Sequence, residues 1–304
     1  MRILVTGASG FLGSYLVADL LEQGHDVAVL VRGDTPWRLA DAIDRITPIA
    51  GSLDDVTALR DRQKAFAPDA GAHRAGRGVG NMDRNSPLQG RNVWDAAELA
   101  ALCAELKVAT FVGAGSQAEY GPLNRPIAPD DTTLPTTLYG KAKLAAGSMC
   151  EQIAAEASMR FAWLRIFSTY GPRDHEYWLI PNFIKTVAKG ERMSLTDCEQ
   201  RWGFLHARDA AAAFRIALTD ARASGYFNVG HPDGPTLRDT LTRLRDLINP
   251  DAVLGFGDIP YRPDQVMVLQ ADVARLTELG WKPRINIEDG LRETIAWHHA
   301  SKRN

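Results

Sequence analysis

The sequence predicts an α/β fold: a doubly wound parallel sheet with a smaller C-terminal lobe. Three observations predict it. Short β-branched runs alternate with helix-length segments from the N-terminus onward. Those runs are apolar throughout rather than alternating, as parallel strands covered on both faces require. After about Ser168 the texture changes, with more turns ("YGPRD", "HPDGP", "GFGDIPYRPDQ") and shorter helical segments.

Taken in order, "RILVT" is the first strand, and "FLGSYLVADLLEQG" follows as a helix with Leu12, Leu16, Leu20 and Leu21 on one face. "DVAVLV" (Asp26 to Val31) is the second strand, which makes a βαβ unit with a right-handed crossover. Asp54 to Lys64 reads as helix, "PDAGAHRAG" as a poor strand, Asn92 to Leu106 as a long helix and "VATFVGAG" as a strand. A helix from about Thr137 to Ala157 and the strand "RFAWLRIF" complete the alternation. The lobe carries helices at Ile180 to Lys189, Ala207 to Leu218, Leu237 to Ile248 and Asp289 to His298. The expected division is 1–168 and 169–304, interleaved, because no low-complexity linker separates the halves and no fixed-period repeat occurs.

With 304 residues, 45% hydrophobic and 24% charged, the chain is long enough and apolar enough for a full core. A formal charge of -2 gives no general reason to expect nucleic acid or an anionic membrane as partner. Cys103, Cys150 and Cys198 are widely spaced, without a C-x-x-C pair, which argues against a disulfide framework or a zinc site. His25, His175, His206, His231, His298 and His299 show no metal-ligand spacing, so no metal is expected; His175 follows "YGPRD" near the expected cleft. The apolar N-terminal run is too short for a secretory segment, and no run of about 18 apolar residues occurs. A soluble, cytoplasmic protein is the expectation.

"VTGASGFLGSYL" (Val5 to Leu16) places Gly7, Gly10 and Gly13 directly after a strand and at the opening of a helix. Gly7 would permit the tight turn, Gly10 the approach of backbone to a pyrophosphate, and Gly13 close packing of helix on sheet. The spacing is G-x-x-G-x-x-G, and "TGASGFLG" resembles the TGxxGxxG signature of the extended short-chain dehydrogenase/reductase family. Its members are NAD(P)-dependent epimerases, dehydratases and reductases, acting mainly on nucleotide sugars. The resemblance covers nearly the whole chain. It implies a Rossmann-type sheet domain, a substrate-binding lobe, and cofactor contacts from Gly7, Ser9, Gly10, Phe11, Leu12 and Gly13.

NAD-using members of that family end the second strand on an acidic residue. Here Leu30, Val31 and Arg32 stand there, and a guanidinium suits a 2'-phosphate through two directed hydrogen bonds. NADP(H) is therefore favoured over NAD(H), with Arg38 assisting; the alternative is a solvated Arg32 with Asp34 turned to the ribose. In "AGSLDD", Ser52 and Leu53 occupy the family's adenine-contacting Gly-Asp-hydrophobic place, with Ser52 replacing the Asp.

"LYGKAKLAAG" puts Tyr139 and Lys143 four apart, on one helix face. "GSQAEYG" is similar to the family's S-x-x-x-Y-G, which assigns Ser116 to the catalytic serine position; the resemblance implies a Ser116, Tyr139 and Lys143 triad, with Tyr139 and Lys143 also touching the cofactor. Hydride transfer at a sugar carbon leaves charge on oxygen, and Tyr139 must pass a proton to or from it near neutrality. Lys143 favours the phenolate and holds the nicotinamide ribose, and Ser116 polarises the carbonyl. Family dehydratases carry Thr-Asp-Glu where this chain has Ser116-Gln117-Ala118, with Glu119 one residue late, so 4,6-dehydration is not expected. Gln117 is read as substrate-binding.

The leading expectation is an NADP(H)-dependent reductase of a nucleoside-diphosphate 4-keto-6-deoxysugar. The alternative is a nucleotide-sugar 4-epimerase, and a third class is a catalytically idle NADP sensor. "LRIFSTYGPRD", with Ser168 in place of the usual Asn, "FNVGHP" and "RPDQ" are similar to later family segments. Arg262 is the expected diphosphate clamp and Arg201 a second candidate, although Trp202-Gly203 departs from the family's x-R-D-[FY].

Two features stand apart. In the fourth strand Gly71, Ala72 and Arg74 replace the large apolar residues of the family's V-V-I-H-L-A-A, with His73 at the matching position. Arg74 implies a remodelled site, a partner carboxylate or reduced stability. Along the helix Asn92 to Leu106, Val93, Ala97, Ala100 and Ala104 form a small-residue side that either joins a homodimer interface or faces the sheet.

Overall fold

The computed structural model describes residues 1–33, 36–79, 83–262 and 265–301. Seven strands form one wholly parallel sheet: β1 (Arg2–Thr6), β2 (Asp26–Val31), β3 (Ile46–Ala50), β4 (Ala70–His73), β5 (Thr110–Ser116), β6 (Arg160–Ile166) and β7 (Gly225–Val229). Their order is β7-β6-β5-β4-β1-β2-β3. Crossover helices cover both faces, which is why the central strands are apolar along most of their length. Ile3 and Val5 pack with Leu16, Val17 and Leu20 of α1 (Phe11–Glu22), whereas Leu4 between them points into the opposite core. That second core holds Leu99, Ala100 and Cys103 of α3 (Gln89–Glu105) and Ala146 and Cys150 of α4 (Leu138–Glu156).

Two strands escape the sequence patterns. β3 carries Pro48 and exposes three of its five residues, which only an edge strand tolerates. β7 comes from the C-terminal half and pairs with β6, so the sheet draws on both halves of the chain. The expected helix at Asp54 to Lys64 is instead two 3-10 turns, Leu53–Asp55 and Thr57–Leu59, followed by the short α2 (Arg60–Phe66).

The glycines of the central strands have packing reasons. A Cβ on Gly71 would lie 3.1 Å from Cys103 Sγ, so the bare backbone lets α3 close onto β4. Cβ atoms on Gly113 and Gly115 would fall 2.1 and 2.3 Å from Trp163, whose indole is buried across them.

The lobe has its own core, including Phe183 and Ile184 of α5 (Leu179–Val187), Leu241 and Leu244 of α7 (Leu237–Ile248), and Leu291 of α9 (Ile287–Ser301). α6 (Ala207–Thr219) returns to the sheet and packs on α1, while the short α8 (Ala274–Glu278) lies by β7. Three two-stranded parallel pairs tie the lobe together: Thr169–Tyr170 with Leu205–His206, Met193–Ser194 with Leu254–Gly255, and Arg201–Trp202 with Val268–Leu269. Among the described residues no helix is long and apolar enough to cross a membrane, and the three cysteines are free and buried.

Candidate active site

The strand ends and the lobe enclose a cavity of about 1020 Å³. Gly7, Gly10, Phe11, Leu12 and Gly13 line it from the first loop, Ser116, Gln117, Tyr139 and Lys143 from β5 and α4, and Gln200, Trp202 and Arg262 from the lobe.

Two of the loop's glycines, Gly7 and Gly13, are dictated by geometry. Gly7 sits at φ +70°, where a side chain is strained, and a Cβ there would lie 2.5 Å from Ala75 N. A Cβ on Gly13 would lie 2.0 Å from the Gly7 carbonyl oxygen, so only glycine lets α1 start this close to the turn. Gly10 caps α1 with no side-chain hydrogen bond, leaving the first-turn N–H groups directed at the cavity end.

Ser116 ends β5 and caps the 3-10 turn Gln117–Glu119, accepting from Ala118 N at 3.2 Å. α4 is capped in turn by Thr137, and Gly140 lets its first turn close to the Ala118 carbonyl, where a Cβ would lie at 2.3 Å. This approach sets Tyr139 on the same cavity wall as Ser116. Burial raises the Tyr139 phenol above its ordinary value, aided by Glu119, while the Ser116 hydroxyl, Arg84 and Arg74 pull the other way. One helical turn on, Lys143 Nζ donates to the Ala114 carbonyl at 2.9 Å. Burial, aided by Arg74 and opposed by Glu119, pushes this ammonium down to about 8.

Glu119 faces away from the cavity, into the core. Its Oε1 accepts from Ser116 N at 2.8 Å and Trp163 Nε1 at 3.1 Å, and its Oε2 from Arg165 Nε at 2.7 Å. It holds the serine-bearing turn and supplies no acid to the cavity; Gln117 and Ala118 line that wall instead. His73 is likewise structural: Nδ1 meets the Thr6 hydroxyl at 2.9 Å, the ring stacks on Phe111, and burial pushes it down to about 3, so it is neutral.

Other expected positions lie outside the cavity lining. Ser9, Arg32, Ser52, Leu53 and Arg201 do not line it. Arg32 is exposed at the end of β2, without an ion pair among the described residues, and Asp34 lies outside the described residues. Ser52 caps the Leu53–Asp55 turn and Leu53 is a core residue. Arg38 donates to the Arg173 carbonyl at 2.9 Å. Arg201 is exposed on its edge pair, whereas Arg262 reaches the cavity; Pro263 and Asp264 of "RPDQ" lie outside the described residues.

Two lining residues, Arg84 and Asp174, had no functional reading from the sequence, and Arg74 had one that left its role open. Arg84 lies 5.8 Å from the Tyr139 ring centre, and its carbonyl accepts from Tyr139 N at 2.8 Å. Arg74 lies 4.1 Å over the Phe214 ring, and its Nε is buried without a hydrogen-bond partner. Asp174, in "YGPRD", is pushed up to about 7 by burial although His175 N donates to it at 2.8 Å.

Comparison with known proteins adds to this geometry. Residues 3–230 match the model of the NAD dependent epimerase/dehydratase family. The chain is 28% identical over 324 positions to a UDP-glucose 4-epimerase of Halalkalibacterium halodurans, covering 98% of this chain and 96% of the relative. It is 23% identical over 309 positions to a dTDP-4-dehydro-6-deoxyglucose reductase of Escherichia coli, covering 96% of each. Among solved structures it superposes on MoeE5 in complex with UDP-glucose and NAD with a TM-score of 0.86 at 27% identity, covering 99% of this chain and 100% of that one.

Proposed function

This chain belongs to the NAD dependent epimerase/dehydratase family, and from that premise we propose that it is an NADP(H)-dependent reductase of a nucleoside-diphosphate 4-keto-6-deoxysugar. The observation that carries the reading is the hydroxyl pair Ser116–Tyr139 beside buried Lys143, on the wall of a cavity whose end is the glycine loop. The tight turn that Gly7 and Gly13 allow lines the end of the cavity, which fits a dinucleotide, and neighbouring structures were solved with NAD. When bound, the dinucleotide supplies the hydride. Tyr139 then gives its proton to the carbonyl oxygen, Ser116 donates a hydrogen bond to the same oxygen, and Lys143 stabilises the phenolate left behind.

The direction of chemistry is argued from what faces the sugar. Gln117 and Ala118 offer no acid for elimination, and Glu119 is locked against Arg165, which supports reduction or epimerisation over dehydration. Exposed Arg32 at the end of β2 favours a 2'-phosphate and hence NADP(H), the cofactor a reductase consumes. A reductase among the relatives fits this reading. Arg262 is the candidate for the sugar nucleotide's diphosphate. A second reading, a nucleotide-sugar 4-epimerase, is favoured by the names of several relatives. A second copy of the chain is the proposed protein partner, through α3 and α4, where Trp94 and Met149 remain exposed.

The test incubates the protein with NADPH and thymidine- or cytidine-diphosphate 4-keto-6-deoxyhexoses. A reductase oxidises NADPH in proportion to sugar reduced. Isomerisation of a nucleotide hexose without net cofactor loss would establish the epimerase, and no oxidation with any such ketone would overturn the reductase.

A further inference from the structure

We propose that Arg74 is a cationic ligand of the dinucleotide's diphosphate, acting beside the glycine loop. The inference rests on the reading that the cavity holds a dinucleotide, and is independent of which sugar it meets.

Position comes first. Arg74 immediately follows β4, and its N–H donates to the Thr6 carbonyl at 3.1 Å, at the end of β1. A Cβ on Gly7 would lie 2.6 Å from the Arg74 carbonyl carbon, so the backbone of Arg74 is fixed against the very turn that carries Gly7 and Gly10. Arg74 lines the same cavity as Gly7, Gly10, Phe11, Leu12 and Gly13, and its guanidinium lies over the Phe214 ring from α6.

Charge comes second. Arg74 forms no ion pair and donates no side-chain hydrogen bond among the described residues, and its Nε is shut off from solvent. The ionisable groups it acts on in the cavity are Tyr139, Lys143 and His73, none of them an anion at neutral pH. Burial pulls the guanidinium down to about 9, so it is still charged at neutral pH. Arg74 is half-buried, and partly desolvating a cation with no anion beside it is unfavourable. Half-buried Arg160 and buried Arg165 elsewhere in the chain each donate to several acceptors. Arg74 alone of these three awaits one.

The missing anion is identified by place and shape. The glycine loop offers a diphosphate only backbone N–H groups and the end of α1. A guanidinium adds paired, planar donors that match two phosphate oxygens. The family pattern has a leucine at this position, so the cation belongs to this chain's own adaptation. The stack on Phe214 fixes the guanidinium plane before the ligand arrives, limiting the entropy lost on binding.

The experiment measures binding to the full-length protein without sugar, comparing Arg74→Leu and Arg74→Gln with the parent. The probes are ADP-ribose, which carries the diphosphate, and adenosine 2'-phosphate, which has the adenine end without it. Affinity for ADP-ribose should fall roughly tenfold or more in both variants, with that for adenosine 2'-phosphate unchanged; the ratio of the two affinities is insensitive to any unfolded fraction. Equal ADP-ribose affinity in parent and variants, or equal loss for both probes, would overturn the proposal while leaving dinucleotide binding intact. If the parent binds neither ADP-ribose nor NADPH, the dinucleotide reading fails and the proposal with it. The cofactor preference is read separately, from NADPH against NADH on the parent.

Discussion

Replacing Glu119 by Gln tests whether the buried ion pair behind the catalytic wall positions Ser116. Glu119 is completely buried and the Arg165 side chain is 5% exposed, with Oε2 and Nε 2.7 Å apart. Breaking such a pair from one side costs about 3–5 kcal/mol, because the remaining charge is stranded. Arg165 keeps the Tyr120 hydroxyl at 2.9 Å and the Pro129 carbonyl at 3.0 Å, which places the loss near the lower figure, about 3 kcal/mol. At roughly 2.1 cal/mol/K of unfolding entropy per residue, the 304 residues give about 0.6 kcal/mol/K, so Tm should fall by about 5 °C. The amide also has a single acceptor oxygen. It cannot accept both from Arg165 and from the Ser116 and Trp163 N–H groups, so one side meets a donor with a donor. Turnover should therefore fall together with Tm. The double variant Glu119→Met with Arg165→Met removes both charges and should recover much of the stability, yet leaves Ser116 N–H without its acceptor and turnover low. Calorimetry and NADPH oxidation on the three proteins make the comparison. An unchanged Tm in Glu119→Gln, or a double variant that recovers turnover as fully as stability, would refute the positioning role.

Tyr139→Phe should lower turnover by roughly 10²–10⁴-fold with ADP-ribose affinity intact; full turnover would remove Tyr139 from the proton path. Lys143 is charged below about 8, and burial keeps Tyr139 protonated beyond its ordinary range, so kcat/KM for reduction should be level at low pH and fall as pH rises through about 8. Lys143→Met should erase that limb, and a limb that persists in it belongs to another group. Arg32→Ala should weaken NADPH by about tenfold while leaving NADH unchanged; equal effects on both would mean that Arg32 does not meet the 2'-phosphate. Trp94→Glu should convert dimer to monomer in sedimentation, and a parent protein that already sediments as a monomer would end the dimer proposal.

The sheet was legible because its first strands are short, mostly apolar runs without alternation, and Ile3, Leu4 and Val5 alternate between two cores as that pattern requires. β3 was not, since Pro48 and its exposed neighbours break any strand pattern that an edge position would excuse. Ser116, Tyr139 and Lys143 were legible through local spacing. Glu119 was not, because its meaning depends on Trp163 and Arg165, 44 and 46 residues away. Arg84 carried no local signal at all; a loop between β4 and α3 brings it to Tyr139.

The local anomalies are the more instructive part, because they divide into two kinds. Gly71, Gly113 and Gly115 violate strand preference, and each is answered inside the chain by the sulfur of Cys103 or the indole of Trp163. Glu119 violates the rule against buried charge and is answered by Arg165. Half-buried Arg74, with its Nε enclosed, strains the same rule, and no carboxylate among the described residues answers it. Stability alone would favour an apolar residue over an unpaired guanidinium at this place. A charge kept against that penalty, in a cavity beside a glycine loop, has its compensation in what the cavity binds. For that reason Arg74 should be more costly to the folded, empty protein than leucine, and the Arg74→Leu variant should melt above the parent without ligand and below it at saturating ADP-ribose. The crossing of the two melting temperatures is the signature of a residue retained for a ligand; a variant less stable than the parent in both conditions would make Arg74 a structural residue after all.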